Sequence, residues 1–249
     1  MSQFVFGTGN VVAVSTAAGQ TPQQLGTLQD ISIGFDFTNV PLLGQYQFPV
    51  AVGRGAGKIE GTAKLAEFDA NMFNQIFFGT TPVAGGTFYA SNEAHSIPAS
   101  TPWQVTIAPP GAGTFLDDGG PVYAATGARF QRVASAPATG QYTVNLATGI
   151  YTFTTGDASA AILISYTYTI AASGFSSVLT NQLMGQSTIF KLVLNNQYNN
   201  LNFTLELYQV TSTKLTMGFK NTNWSVPDFA FACFTNSANQ LGKLSVANL

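Results

Sequence analysis

The sequence predicts an all-β protein with one short helix, built as an outer β domain into which a smaller, immunoglobulin-like β-sandwich is inserted. Three observations carry this. Apolar residues alternate with polar or small ones through most of the chain, as in Ile31, Ile33, Phe35 and Phe37, and again in Phe190, Leu192 and Leu194; that is the period of half-buried strands. One stretch takes a helical period instead, with Phe68, Met72, Phe73, Ile76 and Phe77 forming an apolar stripe. The texture also changes near Tyr89 and again near Ala172, from long strands to short, closely punctuated ones and back.

In chain order, a short strand is expected around Val11–Val14, then a Gly/Gln/Pro loop over Ala17–Gln24 and a longer strand over Leu25–Phe37. Asn39-Val-Pro41 is expected to break that strand. Next comes the stretch around which the chain is organised. Tyr46, Phe48, Val50 and Val52 alternate with Gln45, Gln47, Pro49 and Ala51, and Gly53-Arg-Gly-Ala-Gly57 offers a turn with positive φ. A second run follows, with Ile59, Gly61, Ala63 and Leu65 on one face and Lys58, Glu60, Thr62 and Lys64 on the other. Two such runs across glycines read as a long antiparallel hairpin. The helix comes after it, with Asp69 as N-cap, Phe68 and Phe73 as a hydrophobic staple, and Gly79 as the residue past its end.

Thr80–Gly86 reads as a loop of small residues. The inserted domain, 89–171, is expected to hold short strands at Trp103–Ile107, Gly113–Asp117, Arg129–Val133, Gln141–Asn145, Ile150–Thr154 and Ala161–Thr169. Beyond it, Thr188–Gln197 and Leu201–Val210 pair across an Asn-rich turn, followed by strands at Lys214–Lys220, Trp224–Phe234 and Leu241–Val246. The outer domain is thus 1–88 with 172–249.

Composition narrows the function. Of 249 residues only 8% are charged, against about 25% in typical soluble proteins. A chain so poor in charge is expected to bury surface in large, permanent subunit interfaces. A net charge of −2 argues against a surface built to neutralise phosphates. No run of about 18 apolar residues marks a membrane-spanning helix. The single Cys233 excludes an internal disulfide, and the opening MSQFVFGTGN has neither a basic nor an apolar signal region, so folding in a reducing cytoplasm is expected.

No constellation for chemistry emerges. His95 is the only histidine and falls in a polar loop, Ser91–Ser96, so no Ser-His-Asp or Cys-His pair and no histidine-based metal site is expected. Gly53-Arg-Gly-Ala-Gly-Lys58 superficially looks like a phosphate-binding loop, but Val52 replaces the first glycine, Ile59 replaces the Ser/Thr, and no helix follows. Asp117 and Asp118 are neighbours that a strand sends to opposite faces, and with Asp157 they are read as turn residues. Catalytic, cofactor and metal residues are therefore expected to be none. The polar face of the hairpin, Lys58, Glu60, Thr62 and Lys64, is the one candidate site, as a lumen lining or subunit contact.

The run FPVAVGRGAGKIEGTAKLAEFDANMFNQIFFG resembles the strand–turn–strand–helix of tail tube proteins from tailed bacteriophages. TPWQVTIAPPGAGTFLDDGGPVYAATGARFQRV, TGQYTVNLATGIYTF, ISYTYT and the ending NTNWSVPDFAFACFTNSANQLGKLSV resemble segments of phage virion proteins of that kind. The resemblance implies a tube-type β-sandwich or barrel that assembles with itself into six-fold rings. The rings stack into a tube, contact other tail proteins at its ends, and pass DNA transiently through the lumen. It implies a place in the virion tail after assembly in the host cytoplasm, with the insertion decorating the outside. The rival from another class is a carbohydrate-binding or adhesive module, with Tyr89, Trp103, Tyr123 and Tyr142 stacking on sugars.

Overall fold

The computed structural model describes residues 7–16, 21–67, 69–80 and 82–248, and it is an all-β fold with one α-helix among those residues. The chain divides into two compact units, one from its two ends (up to Pro82 and from Ser177), the other from Val83–Ser176. The sequence borders at 89 and 171 fall a few residues inside the second unit.

The first unit opens with β1 (Asn10–Ser15), β2 (Gln23–Leu25), β3 (Leu28–Leu43), β4 (Pro49–Leu65) and α1 (Ala70–Phe77). The second comprises β5 (Val83–Ser96), β6 (Gln104–Thr106), β7 (Thr114–Tyr123), β8 (Gln131–Arg132), β9 (Gln141–Asn145), β10 (Ile150–Thr152) and β11 (Ala161–Ser176). The first unit resumes with β12 (Ile189–Tyr198), β13 (Leu201–Thr216), β14 (Asp228–Phe234) and β15 (Gly242–Asn248).

In the first unit one eight-stranded sheet runs β2-β1-β12-β13-β14-β4-β3, with β15 paired to β13 beside β14. Alternation decides its faces. Phe190, Leu192 and Leu194 of β12, Leu207 of β13, Phe229 and Phe231 of β14, and Ile59 and Ala63 of β4 are buried on one side, where Met72 and Ile76 of α1 join them. The helix begins where expected: the Asp69 carbonyl accepts from the Phe73 N–H at 3.0 Å. Gly79 ends it in the left-handed region at φ 62°, which a residue without Cβ adopts freely. The proposed staple cannot be placed, because Phe68 lies outside the described residues. A feature absent from the sequence reading is Asn74, fully buried in the helix, which accepts from the hydroxyls of Thr80 at 2.6 Å and Ser177 at 2.5 Å and donates to the Thr80 carbonyl.

The central hairpin needs correction. Its turn is Gly44–Phe48, and β4 runs unbroken through the glycines that were expected to turn. None of Gly53, Gly55 and Gly57 has positive φ; Gly55 and Gly57 serve close approach instead, while a Cβ at Gly53 would meet only ordinary contact. A Cβ at Gly57 would stand 2.9 Å from the Phe37 ring, and one at Gly61 would fall on the Phe231 ring. Likewise Asn39-Val-Pro41 does not end β3, which pairs with β4 through Leu43. Proline is tolerated there because β3 closes the sheet as an edge strand and has no partner on its other side among the described residues.

The second unit has a four-stranded sheet, β6-β10-β9-β8, and a three-stranded one, β5-β11-β7, around a core rich in aromatics that includes Phe115, Phe130, Tyr142, Tyr151, Phe153 and Tyr166. Much of the expected Thr80–Gly86 loop and the whole Ser91–Ser96 loop prove to be strand, since β5 pairs along β11 from Val83↔Ser176 to Ser96↔Ala161. Pairing over that length overrides weak local propensity. Chain entry and exit are therefore adjacent strands of one sheet. In the first unit, the expected strand at Lys214–Lys220 is partly the end of β13, and β14 starts only at Asp228.

Candidate assembly surface

The four candidate residues lie together on one face of β4. Burial alternates from Ile59 to Leu65, with Ile59, Gly61, Ala63 and Leu65 buried and Glu60, Thr62 and Lys64 exposed; Lys58, just before this run, is exposed as well. The polar set thus occupies the side of the sheet away from the helix. Lys58 Nζ donates to Glu60 Oε2 at 2.8 Å, and Lys64 Nζ lies 3.7 Å from Asp30 Oδ2 on the neighbouring strand. The hydrogen bond to Glu60 holds the Lys58 pKa above its ordinary value. Across the same sheet Lys191 and Glu206 pair at 2.9 Å. Each of these lysines has a carboxylate beside it, so this face carries charge of both signs in local balance.

The stronger feature is the distal half of the β3–β4 ribbon. From Phe35 to Lys58 every residue but the half-buried Gly55 is exposed. Nine of them are large and apolar, at 50% to 81% exposure: Phe35, Phe37, Val40, Leu42, Leu43, Tyr46, Phe48, Val50 and Val52. Between Phe37 and Gly57 the only fixed charge is Arg54, whose guanidinium sits 4.1 Å above the Phe37 ring, a cation–π contact. Along β3, Phe35 and Phe37 share one face, while Val40 and Leu42, out of phase with them, take the other. The arm is therefore apolar on both faces. It reaches out by roughly 30 Å, at about 3.3 Å per residue over some ten residues. The sequence contained this signal, since both runs are apolar, but with the turn placed at Gly53–Gly57 the arm itself could not be seen.

The remaining candidates are structural in their surroundings. In the second unit Asp118 accepts from Tyr142 at 2.5 Å, Tyr151 at 2.7 Å and the Gly120 N–H at 2.7 Å, with Arg132 3.8 Å away. Asp157 accepts from Tyr123 at 2.5 Å and from the Gly140 N–H. Burial, and then these carboxylates, push the Tyr123 pKa up to about 12 and those of Tyr142 and Tyr151 up as well. Asp118 and Asp157, two of the three aspartates read as turn residues, are thus acceptors that tie core tyrosines together. His95 stands on β5 with Nε2 2.8 Å from Glu93 Oε1, while Tyr166 donates to the other Glu93 oxygen at 2.5 Å. Of the four aromatics considered for sugar stacking, Tyr142 is buried, Trp103 and Tyr123 are half-buried, and Tyr89 is exposed. Among the described residues no three His, Cys, Asp or Glu side chains stand together as a metal site, and no helix is long and apolar enough to cross a membrane.

No protein-family model matches the chain, and no curated protein matches its sequence.

Proposed function

We propose that this chain is a virion structural protein of a tailed bacteriophage, whose copies close into six-fold rings that stack into the tail tube. The observation that carries the proposal is the β3–β4 arm, exposed along its length and apolar on both faces. A strand pair of that character is what a sheet looks like when both its faces are buried, and in water it is an aggregation hazard unless neighbours cover it. Its apolar side chains amount to roughly 1,000 Å², comparable with one side of a standard protein interface. The 8% content of charged residues fits the same reading, since subunit interfaces replace part of the surface that charge keeps soluble.

In this proposal the face bearing Lys58, Glu60, Thr62 and Lys64 lines the lumen or an adjoining subunit contact. Its lysines are locally offset by Glu60 and Asp30, so the wall has little pull on phosphates and DNA slides past instead of being held. Other tail proteins would meet the tube at its ends, and assembly would take place in the host cytoplasm.

Electron microscopy of the purified full chain tests the proposal. Closed rings or tubes are expected. A monodisperse monomer at high concentration that binds glycans on an array would replace this reading with that of a carbohydrate-binding module.

A further inference from the structure

We infer that the arm of one copy seats in a specific groove of a second copy, the apolar gap between β4 and β15, and adds a strand to the free edge of β15. This rests on the self-assembly reading above and names the surface that receives the arm.

The groove arises from the topology. β14 and β15 lie end to end along one flank of β13, β14 pairing with Gln209–Thr216 and β15 with Leu201–Leu207. β14 also pairs with β4, over Ile59–Lys64, whereas β15 has no second neighbour among the described residues. A gap is left between β15 and the continuing β4. It holds a cavity of about 330 Å³, whose lining includes Phe35, Ile59, Phe203, Leu205 and Leu244 as well as Lys243, its one charged residue. Its floor continues the face on which the core is built, at the end away from α1, and Leu244 is 61% exposed there.

Two needs therefore coexist on every chain. The arm lacks a cover, and the groove and the β15 edge lack a filling. An apolar strand with one fixed charge meets both, by backbone pairing along the edge and by side chains in the gap. A symmetric arm-to-arm contact would leave the groove and the edge of β15 open. Unless two copies exchange arms reciprocally and stop as a dimer, the arm-in-groove contact is heterologous and propagates from copy to copy, closing as a ring or running on as a filament.

The test uses two full-length variants in a Cys233→Ser background, Gln47→Cys on the arm turn and Lys243→Cys on β15, both exposed positions. Each is treated with a short flexible bis-maleimide, alone and mixed, and imaged by electron microscopy. The expected result is a covalent dimer in the mixture and none in either variant alone. Dimers within the Gln47→Cys sample alone would establish an arm-to-arm contact and overturn the inference. Particles without any Gln47–Lys243 cross-link would overturn the groove while leaving the ring reading intact. A cross-link without rings would support the groove and sink the ring reading. Monomers with no cross-link would overturn both.

Discussion

Asp118 and Asp117 are adjacent in sequence and opposite in consequence. The Asp118 side chain is 3% exposed and accepts from two core phenols and a backbone N–H; Asp117 is exposed, and its carboxylate accepts only the neighbouring Asp118 N–H among the bonds described. Asp118→Ala leaves two buried hydroxyls without their acceptor and should cost about 3 kcal/mol or more, while Asp117→Ala should stay within about 0.5 kcal/mol. Urea unfolding followed by circular dichroism compares them, and equal midpoints would show that the Asp118 cluster contributes little. Strand alternation told the two aspartates apart in face but not in fate. What decides it is Tyr142 and Tyr151, which arrive from β9 and β10, and local sequence does not say which strand will lie opposite.

The helix was legible as an element and only partly as a packing unit. Its period, its start after Asp69 and the Gly79 terminus all follow from sequence, because each is set within a turn or two. Its buried face does not, because an apolar stripe five residues wide exceeds what one sheet contact covers. The structure buries Met72 and Ile76, at 5% and 3% exposure, and leaves Phe73 and Phe77 half-buried, with the Phe77 ring edge-on to Phe229 at 5.6 Å. Met72→Ala and Ile76→Ala should therefore each cost about 2–5 kcal/mol, more than Phe73→Ala. Urea melts in which Phe73→Ala is the most damaging would mean that the helix docks by its other edge. The glycines of β4 teach the converse lesson. Gly57 and Gly61 are small because aromatic rings of neighbouring strands lie across them, and a glycine needed for close approach cannot be told by sequence from one needed for a turn.

For the whole molecule, the sequence made the low charge and the two β units plain, since composition and strand texture are summed over many residues. The arm was hidden because one misplaced turn folded its two strands back on themselves as a shorter hairpin. Once the turn moves to Gly44–Phe48, the chain has a long ribbon that it cannot cover by itself, and the account stands on what covers it. Sedimentation velocity of the wild-type chain beside the variant Phe48→Lys/Val50→Lys addresses that directly, since both positions lie at the end of the arm, at 81% and 72% exposure, where lysine leaves the core untouched. Large, closed assemblies are expected for the wild type and a folded monomer for the variant, with the same circular dichroism spectrum for both. A wild type that sediments as a monomer, or a variant that assembles as the wild type does, would contradict this expectation.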